Sequence, residues 1–85
     1  MAISAEQIRA GRALLQWSAK ELADRAGVVI HTVQRLETGK VPVGRATVET
    51  IDKITRALEG GGVVLLPDGY GVTLKPEARE EEIDR

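Results

Sequence analysis

Residues 22–39 have the sequence LADRAGVVIHTVQRLETG, and this stretch decides the fold. Apolar residues recur at helical spacing on both sides of Gly27. A glycine in that place is typical of a helix end, where the backbone turns left-handed. The interval between Gly27 and Gly39 fits a helix of about eight or nine residues. The stretch therefore predicts two short helices joined by a tight turn.

The segments on either side of this stretch also predict helices. Capping boxes begin at Ser4 and Ser18, where the serine hydroxyl can accept from the backbone three residues later. From Thr47, apolar residues again follow the helical period, up to the three glycines at 60–62. We expect a mainly α fold, with a bundle of four to five helices occupying residues 1–59.

Beyond the glycines the apolar pattern changes from helical to extended. Residues 63–66 and 71–74 flank Asp68-Gly69, a pair typical of β-hairpin turns. We expect a hairpin over residues 60–75. Both faces of its first strand are apolar, so one face can cover the helices while the other lies open to a partner. The predicted dimer interface comprises Val63, Val64, Leu65, Leu66, Val72 and Leu74. Residues 76–85 predict a flexible acidic tail.

Composition excludes several classes of function. The chain has 85 residues, no cysteine, one histidine and two serines, and both serines are explained as helix caps. These residues leave no set for a nucleophilic enzyme or a zinc site, so we predict no enzyme activity, no cofactor and no metal. No apolar run approaches the roughly 18 residues of a membrane span. Residues 1–59 carry nine Lys/Arg and seven Asp/Glu, whereas residues 60–85 carry three and six.

Two short helices joined at a glycine, the second polar on its outer side, predict a helix-turn-helix. The motif elements are Leu22-Ala23, Ala26-Gly27-Val28, Thr32-Val33 and Leu36-Glu37-Thr38-Gly39. In these elements the chain resembles the phage-repressor (Xre/Cro-like) DNA-binding family over residues 5–59. The resemblance implies a lambda-repressor-like bundle and a transcriptional regulator. It also implies a bacterial or phage protein that is cytoplasmic and associated with the nucleoid.

A helix spanning about residues 29–38 has the size to enter the major groove, where its N-terminal half faces the base edges. Glutamine pairs with adenine and arginine with guanine, while histidine can donate to guanine and an aliphatic side chain can meet the thymine methyl. The predicted base contacts are Ile30, His31, Gln34 and Arg35. The alternative for Arg35 is a phosphate contact or a solvated side chain, and the alternative for Gln34 is plain surface. For His31 it is capping or solvent, and for Ile30 it is a place in the core.

The resemblance also implies contacts that do not read bases. It places phosphate contacts at the start of the second helix and in or near the loop after the third. The residues at these places here are Ser18, Lys20, Thr38, Lys40 and Arg45, and Thr32 in the third helix is expected near the DNA backbone as a further phosphate contact. It further implies a structural ion pair between Arg12 and Glu37. Two residues depart from the family pattern: Val29 replaces the usual Ser or Thr that opens the third helix, and Ala19 replaces a frequent Gln.

These features predict a regulator that binds double-stranded DNA as a homodimer, because twofold symmetry presents two recognition helices to two half-sites. The hairpin, with the fourth helix as a further candidate, is the expected interface. The alternative is a protein-interaction module, an adaptor or antitoxin-like partner whose helix-turn-helix does not read bases. Its contact surface would be Val29 and Ile30 beside the apolar hairpin.

Overall fold

The computed structural model describes residues 3–75, in which four α-helices precede a two-stranded antiparallel sheet. The mainly helical fold with a C-terminal hairpin is thereby confirmed. The predicted acidic tail, residues 76–85, lies outside the described residues. The elements are α1 (Ala5–Leu14), α2 (Ala19–Ala26), α3 (Ile30–Thr38), a short 3-10 helix (Val43–Arg45), α4 (Val48–Gly60), β1 (Val63–Leu65) and β2 (Val72–Leu74).

Local hydrogen bonds explain where the first two helices begin. The Ser4 hydroxyl accepts from the Gln7 backbone N–H at 3.0 Å, and the Gln7 side chain accepts from the Ser4 N–H at 3.1 Å. Ser18 and Glu21 form the same reciprocal pair at the start of α2, with both distances 3.0 Å. Both predicted capping boxes are therefore present, and each satisfies two backbone donors that have no partner within the helix.

The turn between α2 and α3 is the tight one that the sequence predicts. Gly27 ends α2 in the left-handed conformation, with φ of 75°. This φ strains any residue with a side chain, which is why glycine is required here. Only residues 27–29 separate the two helices, and α3 ends at a second left-handed glycine, Gly39.

One aliphatic core is shared by all four helices and the hairpin. Its largest fully buried apolar side chains are Ile8 from α1, Leu22 from α2, Val33 and Leu36 from α3, Ile54 and Leu58 from α4, and Val63 from β1. With only two aromatic residues in the chain, aliphatic side chains fill this space. Since Val63 lies among helical residues, the core does not end at residue 59, where the sequence suggested dividing the bundle from the hairpin.

A buried glutamine fastens the hairpin to α1. The strands pair in the register Val63 with Leu74, Val64 with Thr73, and Leu65 with Val72. The Gln7 amide nitrogen donates to the Leu66 carbonyl at 2.8 Å and to the Gly71 carbonyl at 3.0 Å. Because Gln7 also belongs to the α1 capping box, the same side chain starts the helix and docks the sheet.

The hairpin turn is organised by Asp68, in the Asp-Gly pair that the sequence singled out. Its carboxylate accepts from the backbone N–H groups of Gly71 at 2.7 Å and Tyr70 at 2.8 Å. These two bonds stabilise the ionised carboxylate and lower the pKa of Asp68. Gly69 follows with φ of 84°, the left-handed conformation that a turn residue adopts most easily as glycine.

Candidate nucleic-acid interface

Helix α3 has one face in the core and one in solvent. Val33, Leu36 and Glu37 are buried. The exposed residues are His31, Gln34, Arg35 and Thr38. Because each helical residue turns by about 100°, these four lie within an arc of about 100° around the helix. Three of the four predicted base contacts therefore share one outward surface that no other element within residues 3–75 covers. We call these four residues the outer face of α3.

The fourth predicted base contact lies differently. Ile30 is half-buried and packs against the core, as the alternative for this residue expected. Thr32 is also half-buried, on the opposite border of the outer face. Val29, which was not among the predicted contacts, is instead the exposed apolar residue at this end of the helix.

Helix α3 is held against α1 by two arginines. Arg12 donates to the Glu37 carboxylate through Nε at 2.8 Å and Nη2 at 3.0 Å, and its Nη1 donates to the Trp17 carbonyl at 3.0 Å. The hydrogen bond with Glu37 raises the pKa of Arg12 above its ordinary value. Arg9 donates to the Glu37 carbonyl oxygen. The last turn of α3 is thus bound through both its side chain and its backbone, which fixes the direction of the outer face.

Sequence reasoning identified the Arg12–Glu37 pair only through the family resemblance, and it missed Arg9. A signal for Arg9 was present, because residues three apart lie on the same face of a helix. Arg9 lies one turn before Arg12 on α1, so both guanidinium groups reach the same end of α3.

The predicted phosphate contacts are exposed, apart from Thr32, but three of them already have partners within the chain. The Ser18 hydroxyl accepts the capping hydrogen bond of α2 while its own hydrogen remains available. Lys20 forms an exposed ion pair with Asp24 at 3.0 Å. Thr38 donates to the Arg35 carbonyl at 3.3 Å. Lys40 and Arg45 are exposed in the segment between α3 and α4.

Arg35 and Arg45 meet at one groove between α3 and the start of α4. The groove has a volume of about 250 Å³ and is lined by Thr32, Arg35, Leu36, Val41, Arg45, Ala46, Thr47 and Thr50. Within residues 3–75, Arg35, Lys40 and Arg45 have no acidic partner within 4.0 Å. One uncompensated cation, Arg35, therefore belongs to the outer face of α3, and two more, Lys40 and Arg45, lie in the segment after it.

The charge on α4 is arranged differently. Arg56 pairs with Asp52 at 2.9 Å, and Lys53 pairs with Glu49 at 3.7 Å. The cations of this helix are balanced by acids one turn away. Among residues 3–75, Arg35, Lys40 and Arg45 thus lack the acidic partners that the cations of α4 have.

The hairpin residues predicted for a dimer interface differ in exposure. Val63 is only 1% exposed and is covered by its own chain, so it offers no surface to a second copy. Val64 and Leu66 are exposed, whereas Leu65, Val72 and Leu74 are half-buried. The open apolar surface of the hairpin is thus centred on Val64 and Leu66.

Comparison with known proteins agrees with this geometry. A family model described as a helix-turn-helix domain matches residues 5–65, which is most of the chain. No curated protein matches it significantly. Over residues 3–75, no helix is long and apolar enough to cross a membrane, and no three His, Cys, Asp or Glu side chains converge as a metal site.

Proposed function

This chain belongs to the helix-turn-helix domain family, and on that premise we propose that it is a sequence-specific transcriptional regulator of the Xre type. Helix-turn-helix domains are DNA-binding units in which the second helix of the motif enters the major groove. That helix is α3 here. The proposed location is the bacterial cytoplasm, at the nucleoid, because the DNA that the regulator binds would be chromosomal or phage DNA.

The outer face of α3 carries the proposal. Its polar side chains project from a helix whose opposite face is locked in the core and whose end is held by two arginines. Gln34 can pair bidentately with adenine and Arg35 with guanine, and His31 can donate to a guanine acceptor. A rigid helix with unsatisfied donors on its exposed side is what base readout requires.

Contacts to the phosphates would set the register of α3 in the groove. Lys40 and Arg45 lie beyond its C-terminal end, and Ser18 and Lys20 lie at the start of α2. Thr32 and Thr38 border or belong to the outer face. We expect these residues to meet the phosphates that border the groove when a duplex lies over α3.

We expect Arg35→Ala and Lys40→Ala to weaken DNA binding in different ways. Arg35→Ala removes a guanine contact, so it costs about 1–3 kcal/mol at the preferred site and relaxes preference at one base pair. Lys40→Ala removes a phosphate charge, so it weakens binding to all sequences alike. Selection of bound duplexes from a random pool, followed by fluorescence anisotropy against preferred and scrambled sites, distinguishes the two.

Salt dependence provides the second readout of that experiment. If Lys20, Lys40 and Arg45 contact phosphates, the slope of log K against log salt concentration is about −3 per protomer. Lys40→Ala should reduce it by about one. A wild-type protein that binds no duplex at low salt contradicts the proposal. That result favours the alternative, a module that binds another protein through apolar residues and responds little to salt.

We further propose that the regulator is a homodimer, because a single domain of this size makes few base contacts. The hairpin supplies the surface, with Val64 and Leu66 as its exposed apolar residues. A chain truncated at Gly60 is not a suitable test, since it would remove Val63 from the core. A surface substitution separates dimerisation from folding.

Val64→Lys is expected to convert the dimer to a monomer and to leave the helical content unchanged. Val64 is 37% exposed, so a lysine there can reach solvent in the monomer. In the dimer the charged lysine side chain would be buried away from water, which is unfavourable. Sedimentation equilibrium gives the mass and circular dichroism the fold. Ala13→Lys, at an exposed position on α1, is the matched control. A Val64→Lys protein that remains dimeric contradicts the hairpin interface.

A further inference from the structure

Helix α3 begins without a side-chain cap. Of the four α-helices described in residues 3–75, three begin with a Ser or Thr hydroxyl that accepts a backbone hydrogen bond. Helix α3 instead has Val29 at its N-cap, with no such bond, and the Thr32 N–H donates to the Val29 carbonyl at 3.0 Å. A missing cap of this kind lowers stability, and Val29 has the extended backbone conformation that a capping serine adopts.

The valine does not recover this loss by burial. Its side chain is 67% exposed, while Val28 and Ile30 on either side are half-buried and pack against the core. Neither capping nor packing therefore accounts for an aliphatic residue at position 29. A single exposed apolar residue needs no explanation in general. Here it occupies a position where a polar residue would stabilise the fold, and that position is the N-cap of the proposed DNA-reading helix.

Resting on the proposed function, we infer that Val29 is a specificity-determining residue that contacts the C5-methyl group of a thymine. The N-terminal end of α3 is the part that approaches base edges most closely. The thymine methyl is the apolar feature that the major groove presents there, so an aliphatic side chain without donors or acceptors can read nothing else. Val29 is better placed for this contact than Ile30, whose side chain is partly occupied in the core.

The test combines one protein change with one DNA change. Val29→Ser removes the two methyl groups and supplies a hydroxyl cap. Replacing one thymine of the selected site by 2′-deoxyuridine removes only the C5-methyl. For the wild-type chain we expect this single replacement, at one particular thymine of a half-site, to weaken binding about fourfold, the effect of exposing one methyl-sized group. For Val29→Ser we expect thymine and deoxyuridine sites to bind equally.

Two further measurements make the result specific. Val29→Ser should melt about 4–8 °C higher than the wild type because the cap is restored, so a loss of affinity cannot result from unfolding. Val48→Ser, at another exposed valine beside a helix start, should retain the full preference for thymine over deoxyuridine.

Each outcome decides a different claim. If the wild type binds selected duplexes but no deoxyuridine replacement weakens binding, the inference is overturned and the proposed function stands. The same holds if Val29→Ser retains the fourfold preference. If the wild type selects no sequence from the pool, the proposed function fails and this inference fails with it.

Discussion

Glu37→Ala is expected to lower the free energy of unfolding by about 3–5 kcal/mol, the largest loss we predict for a single charged residue. The Glu37 side chain is 8% exposed and its two oxygens accept from Arg12 at 2.8 and 3.0 Å. Without the carboxylate, the Arg12 guanidinium, whose side chain is only 26% exposed, keeps its charge but loses its partner. Urea denaturation followed by circular dichroism measures the loss.

If the Glu37→Ala protein is largely unfolded, variants with smaller expected losses of stability still test this prediction. Arg12→Lys retains the charge but cannot make the two parallel bonds to the carboxylate, so we expect an intermediate loss. Arg56→Ala removes half of the exposed pair with Asp52 and should change stability by less than about 1 kcal/mol. Equal losses in Arg56→Ala and Glu37→Ala would contradict a special role for the buried pair.

Val63→Ala is expected to lower the free energy of unfolding by about 2–3 kcal/mol, although it lies beyond all four helices in the sequence. Val63 is 1% exposed. One of its methyl groups packs close to Gly11 of α1, 3.5 Å from where a Cβ atom on that glycine would lie. Its truncation leaves a cavity between the hairpin and the helices. The loss should be seen in the helical signal as well, since one core joins both parts.

Val64→Ala is the matched control for this prediction. Val64 neighbours Val63 in β1 but lies on the open side of the strand. At concentrations low enough to keep the chain monomeric, its truncation should change stability by less than about 0.5 kcal/mol. If Val64→Ala destabilised the monomer as much as Val63→Ala, the two sides of the strand would not be buried as the structure describes.

Much of the fold was predictable because its signals are local. A capping box needs only residues i and i+3, and a left-handed glycine is needed wherever a helix ends in a tight turn. Ser4, Ser18 and Gly27 therefore marked helix boundaries correctly. The exposure of His31, Gln34 and Arg35 followed from helical period once Val33 and Leu36 were assigned to the core.

The features that the sequence left undecided depend on contacts between residues that are far apart along the chain. Gln7 was explained by its cap alone, yet its amide reaches carbonyls 59 and 64 residues away. Helical spacing places Arg9 on the same face of α1 as Arg12, but it does not show that Arg9 bonds the Glu37 carbonyl, and the two apolar faces of β1 gave no way to choose Val63 over Val64 for the core.

The amino-acid sequence by itself determined the order of the helices, the turn at Gly27 and the side of α3 that faces solvent, because each follows from contacts within a few residues. Only the tertiary structure decided that the hairpin completes the helical core, that two arginines hold the last turn of α3, and that Val29 rather than Ile30 is the open apolar residue at its start. Those features depend on long-range packing. Residues with similar local apolar patterns can each fill the core, and only the packed structure decides which of them does.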